Sequence, residues 1–173
     1  MMKILAINPI SFKKRMIELL FDYLFILAYL ALLFLGSMLF YIIFFNGIPE
    51  FTEIQSQCLA FFTSVLPITL LFTFLDYTNN GSFGKAKAGL QLVYKKKTVQ
   101  ASLIRNTIKF LPWQIGHMGT IHGVYSEFDL LSIILSFLAT LLAVALLAMM
   151  VFRKDKRHLG DLIAHTQVQL KGD

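Results

Sequence analysis

No residue is charged from Tyr23 to Phe45, from Cys58 to Leu75 or from Leu130 to Phe152, and each stretch is mostly apolar. Each run approaches or exceeds the roughly 20 residues that take a helix across a bilayer. The pattern therefore predicts three membrane helices, over about residues 14–45, 57–76 and 129–153. The first run exceeds the about 7–15 residues of a signal-peptide core, and no small-residue cleavage pattern follows, so it is expected to remain in the mature chain.

A fourth helix, over 102–121, has a weaker signal. Ile104, Ile108, Leu111 and Ile115 recur at helical spacing, but Arg105, Lys109, Pro112 and His117 interrupt the apolar run. Pro112 is expected to break or kink it. From Arg105 to Ile121 such a helix reaches only about 25 Å, so it either crosses obliquely or lies on the surface.

Charge placement favours crossing. The 16 basic residues fall in three groups: Lys3 to Arg15, Lys85 to Lys109, and Arg153 to Lys171. Four crossings put all of them on one side, with Glu50, Glu53, Glu127 and Asp129 on the other. Because cytoplasmic loops collect Lys and Arg, the expectation is a multi-pass protein of the cytoplasmic membrane with both termini inside. Composition agrees: 57% of residues are apolar and 15% charged, against about 45–50% and 25% in soluble domains.

The polar segments add smaller elements. Asn79-Asn80-Gly81-Ser82 is a turn signal. Leu90 to Tyr94 alternates, as do Gln167 to Leu170, and these runs are expected to pair as a short strand patch on the cytoplasmic face. Leu159, Leu162, Ile163 and Thr166 share one helical side, with Lys154, Arg157, Asp161 and His165 on the other. That predicts a short amphipathic helix lying on the membrane surface, its charged face turned to headgroups or solvent. The reading is thus one all-α domain over 1–173, a bundle of about four membrane helices with a loop at 77–101 and a tail at 154–173.

Ionisable residues inside the apolar spans are the candidate chemistry. Arg15, Glu18 and Asp22 stand at i, i+3 and i+7, on one face that Tyr29 and Gly36 continue. An ionised carboxylate facing hydrocarbon costs about 2.5 kcal/mol or more, so Asp22 must be paired, hydrated or protonated, and Arg15 is the near partner. Thr69, Thr73 and Asp76 share a face of the second helix. Asp76 at its carboxyl end opposes the helix dipole and calls for Lys85, Lys87 or Arg105. Pro67 should kink that helix and free a carbonyl, which is either satisfied by Thr63 or free to coordinate an ion. Ser132, Ser136 and Thr140, beside Ala139 and Ala143, suit close helix packing. Asp161 and His165, four apart, are a candidate proton relay.

Other chemistries lack support. Gly81 to Lys85 is too short for a phosphate loop. His117 and His122 are off the spacing of a helical metal pair and read as interfacial hydrogen-bonding groups. Cys58 is the one cysteine. The basic loops lack the interleaved aromatics of a nucleic-acid surface. No enzyme activity, cofactor, metal or nucleic-acid partner is expected; the partners are the bilayer and, as candidates, Na+ or H+.

Four stretches carry a family resemblance. Phe12-Lys13-Lys14-Arg15-Met16-Ile17-Glu18-Leu19-Leu20-Phe21-Asp22 resembles the opening motif of the RDD family of membrane proteins, with Arg15 and Asp22 as its arginine and first aspartate. Gly84-Lys85 through Gly89-Leu90-Gln91-Leu92-Val93 is similar to its glycine-lysine loop, and Arg105-Asn106 to the start of a later helix. Arg157-His158-Leu159-Gly160-Asp161-Leu162-Ile163-Ala164-His165-Thr166 resembles the closing motif, making Asp161 the second aspartate. Two departures are His165 where glycine is usual and Gly160 where histidine is common. The resemblance implies a membrane fold and, from members associated with sodium/proton exchange, transport.

The expected function is therefore cation or proton transport through Asp22, with Arg15 as tethered counter-charge and Glu18, Asp76 and Asp161 forming a cytoplasmic vestibule. The alternative is a non-enzymatic accessory protein whose basic face docks a partner or anionic lipid. Four helices are few for a transporter built of repeated halves, and a homo-oligomer is one way to supply the second half.

Overall fold

A computed structural model describes residues 4–172, so Lys3 of the first basic group lies outside the described residues. Helix α1, Phe12–Phe45, begins at Ser11, whose side chain accepts the Lys14 amide, and stops at Asn46 in the left-handed conformation. The second span is composite. Helix α2, Glu53–Ala60, starts with a reciprocal cap between Thr52 and Gln55. A π-helical turn, Phe61–Val65, leads into α3, Leu66–Asn79, which Asn80 closes at φ 54°.

Pro67 explains the wide turn. It has no N–H for the carbonyl four residues back, which is that of Thr63. The Tyr29 hydroxyl of α1 donates to this carbonyl at 2.5 Å, so the freed group binds a neighbouring helix rather than an ion.

Helix α4, Phe83–Lys87, is capped by Ser82 and runs into β1, Leu90–Tyr94. Helix α5, Val99–Tyr125, continues unbroken through Pro112. Its 27 residues extend about 40 Å, which corrects both the expected break and the apparent shortness. Helix α6 is Leu130–Phe152, capped by Asp129. It forms with α5 the most extensive helix pair of the fold. A Cβ on Gly119 of α5 would lie 2.8 Å from Ser136 Oγ and 3.0 Å from its backbone nitrogen, so glycine permits the close approach that the small residues of α6 suggest. Thr140 and Ala143 of that stripe face a cavity instead.

The chain ends with α7, Leu159–Ile163, and β2, Thr166–Leu170. β2 pairs antiparallel with β1, Leu90 opposite Leu170 and Tyr94 opposite Thr166. Here the amphipathic reading needs correction. Helix α7 is only five residues long, Leu159 and Ile163 are exposed, and Asp161 is fully buried. Of the charged side, Asp161 turns inward to meet Arg105, while Lys154 and His165 stay exposed. Thr166 belongs to the strand, not to a helical face.

Three helices are long and apolar enough to cross a membrane: α1, the composite Glu53–Asn79, and α6. Leu32, Phe34, Leu35 and Ile42 on α1, and Ile133, Phe137 and Leu141 on α6, are exposed, as lipid contact requires. Buried apolar residues form two clusters. Ile26, Ile68, Phe72 and Phe110 lie between helices, and Ile10, Leu90, Leu92, Tyr94, Ala164 and Val168 support the sheet.

Candidate functional site

The start of α1, the end of α3, the start of α5 and the tail beyond α6 converge on one rim of the bundle. Four carboxylates meet four cations there: Glu18, Asp22, Asp76 and Asp161 against Arg15, Lys85, Arg105 and Lys109. All but Lys109 are buried. Buried charge is tolerable only when paired and hydrogen-bonded; groups from distant parts of the chain pair every charge here, with Arg15 Nε, Asp76 Oδ1 and Asp161 Oδ2 left without a hydrogen bond.

Asp22 sits on the α4 loop. Ser82 Oγ donates to its Oδ2 and the Gly84 amide to its Oδ1, each at 2.9 Å. Gly84 fits because nothing larger does: a Cβ there would stand 2.1 Å from the Glu18 carbonyl oxygen. The cation on Asp22 is Lys109, at 3.3 Å, whose ammonium also rests over the Phe72 and Phe110 rings. The expected Arg15–Asp22 partnership is therefore corrected. Arg15 reaches only one turn along its own helix, binding Glu18 at 2.8 Å, and donates to the Lys156 carbonyl at 2.9 Å.

Asp76 has Lys85 at 3.2 Å and Arg105 at 2.7 Å, with Asn106 Nδ2 donating at 3.0 Å. Of the cations considered for it, Lys87 stays exposed on α4. Thr69 and Thr73, on the same face, bond back to their own helix. Lys85 also lies 3.5 Å from Glu18.

Arg105 extends the network to the tail, its Nε lying 2.7 Å from Asp161 Oδ1, to which Thr166 Oγ1 also donates at 2.8 Å. Burial alone would raise the Asp161 carboxyl, but the Arg105 guanidinium beside it holds it below the usual carboxylate range. Burial pushes the His158 imidazole down to about 4, against the pull of Asp161. His158 caps α7, its Nδ1 accepting the Gly160 amide at 3.0 Å. His165 is not part of the site. It lies past the end of α7 at φ 51°, exposed, so the Asp161–His165 relay does not form, and His158 is the histidine beside Asp161.

The remaining histidines bridge helices at the other end of α5. His122 faces Glu53 at 2.8 Å and Asp129 at 3.4 Å, and His117 lies 3.5 Å from Ser64.

Sequence reasoning left out Lys109, Asn106, Ser82, His158 and Thr166 as site residues. Asn106, His158 and Thr166 lie inside the quoted motifs, and Ser82 precedes Gly84-Lys85, so motif membership was a usable signal. For Lys109 only its place one turn after Arg105 pointed inward.

A cavity of about 660 Å³ opens between α1, α5 and α6, with Glu18, Asp22, Arg105, Lys109 and His158 at one end. Apolar helices around a buried, charge-balanced rim define a membrane protein held together by an ion-pair network. The RDD family model matches residues 10–165, and the chain belongs to the RDD family. No curated protein and no solved structure matches it.

Proposed function

We propose that this protein exchanges a monovalent cation for a proton, with Asp22 and Lys109 as the switching pair. The observation that carries this reading is the exposure of Lys109. Its side chain keeps 20% of its surface open beside the cavity, whereas those of Arg15, Lys85 and Arg105 keep 3% or less. Ionisable groups among membrane helices are functional candidates by default. A cation arriving at Asp22 replaces the ammonium, and Lys109, without its counter-charge, releases one proton. Reprotonation returns Lys109 to Asp22 and expels the cation. The charge at the pair is unchanged throughout, so exchange is one for one. Na+ is the first cation to test.

The same proposal has α5 crossing as a fourth helix, with both termini on the cytoplasmic side of the cell membrane. Convergence of all four long helical segments on one rim supports it, because alternating helices then present alternating ends there.

Reconstituted liposomes carrying an imposed pH gradient provide the test. Added Na+ should collapse the gradient with the parent protein and not with Asp22→Asn. Lys109→Arg should also stop it, because a guanidinium does not deprotonate in proteins. A parent protein without cation-dependent pH change, or undiminished exchange in Asp22→Asn, overturns the reading.

A second reading, as a non-enzymatic accessory protein, draws on the exposed Lys13, Lys14, Lys95 and Lys96. One stoichiometric partner recovered from membranes, together with inactive liposomes, would select it.

A further inference from the structure

The charged groups of the cavity between α1, α5 and α6 all lie at the rim end. Beyond it the walls are apolar side chains such as Ile26, Leu30, Trp113, Ala139 and Ala143, and the Thr140 hydroxyl among them is bonded back to the Ser136 carbonyl. The lining of α1 spans Glu18 to Leu30, a depth of about 18 Å along the helix. The hydrocarbon of both leaflets together is about 30 Å thick, so this depth matches the acyl chain of one leaflet. A bare cation gains nothing from such walls.

The polar end distinguishes acceptors from donors. Both carboxylates in its wall are engaged, Asp22 by Ser82, Gly84 and Lys109, and Glu18 by Arg15 and Lys85. Two donors retain capacity. His158 is 6% exposed, and its Nε2 makes no hydrogen bond; Asp161 Oδ2, 3.2 Å away, is out of alignment. Because Nδ1 accepts the Gly160 amide, the proton of the neutral ring sits on Nε2. The Lys109 ammonium has three donors, one of them toward Asp22. Spare donors at the mouth of an apolar slot suit an anionic head on an acyl chain.

We propose that this cavity binds an anionic amphiphile, its acyl chain lying between α1 and α6 and its carboxylate or phosphate head on Lys109 and His158 Nε2. A free fatty acid and an anionic phospholipid share that chemistry. Binding stands apart from exchange, because it is measured with no gradient and no flux.

Trp113 makes the site observable. It is the chain's one tryptophan, lies in the cavity wall and sits one turn from Lys109. Purified full-length protein in a neutral detergent would be titrated with bromine-labelled oleate, phosphatidylglycerol and diacylglycerol while tryptophan emission is followed. Saturable quenching by either anionic probe is expected, with the uncharged probe about tenfold weaker, as charge-assisted hydrogen bonds to the head require. The responding anionic probe identifies the source. Ala143→Phe fills the slot without touching the ion pairs and should abolish saturable quenching. Lys109→Gln with His158→Asn, which keeps the helix cap, should erase the preference for anionic heads. Equal quenching by anionic and uncharged probes, no saturable quenching of the parent, or undiminished quenching in Ala143→Phe overturns the proposal, whatever the liposome assays show.

Discussion

Gly84 packs against the backbone of Glu18 so closely that a Cβ would stand 2.1 Å from the Glu18 carbonyl oxygen. The approach lets the Gly84 amide reach Asp22 at 2.9 Å. Gly84→Ala should therefore cost more than the about 1–3 kcal/mol of ordinary overpacking, because helix backbone rather than a flexible side chain must yield. A lower thermal midpoint in detergent, by many degrees, is the expected reading. A midpoint equal to the parent's would show that α4 can lift away freely.

Arg105 joins Asp76 and Asp161 through separate nitrogens. Arg105→Gln leaves two buried carboxylates short of a cation, a loss of about 3–5 kcal/mol. Arg105→Lys retains the charge without the fork and should fall between. Hydrogen exchange locates the damage: amide protection in β2 should drop in the Gln variant while protection in α6 persists. Uniform loss along the chain would contradict this arrangement.

Acid should loosen the tail in two stages. Between about pH 6.5 and about 4, unfolded His158 carries a proton that the folded imidazole lacks, so stability is complete above this window and falls as pH drops through it. The shift corresponds to about 3 kcal/mol. Lower still, Asp161 stays ionised after its unfolded counterpart has taken a proton, which extends the decline. In His158→Asn, which can still cap α7, the upper stage should vanish while the lower one remains. Unfolding midpoints measured against pH check both.

Cysteine labelling fixes the path of α5. In a Cys58→Ser background, single cysteines replacing Lys96 and Glu127, which flank α5 and are both exposed, should react from opposite faces of sealed vesicles. Reaction from the same face would leave α5 uncrossed.

Much of this architecture was legible in residue order, for identifiable reasons. Long uncharged runs and the RDD motifs depend on local spacing, and the alternation of Leu90 to Tyr94 is local too. Asp76 announced its need for a cation through its position at a helix end. The partner of Asp22 was not legible, because Lys109 lies 87 residues away and only tertiary packing, of α5 against α3 and of α4 against α1, brings the two together. Arg15, nearer in sequence, was the natural choice, yet Glu18 holds it. The orientation of α7 was misread for a related reason. Periodicity separates two faces, and only the buried Arg105 determines that Asp161 turns inward. His165 had the helical spacing to Asp161, but the helix ends at Ile163 before that spacing applies.

The pairing of β1 with β2 bears on biosynthesis. β2 closes the sheet against a strand made more than 70 residues earlier and brings Thr166 to the carboxylate that Arg105 holds. Until the ribosome has released β2, Asp161 lacks that hydroxyl and the β1 edge stands unpaired. Assembly of the rim is therefore a late event that follows synthesis of α5 and α6, and a nascent chain stalled before Thr166 would present an open strand edge to membrane quality control.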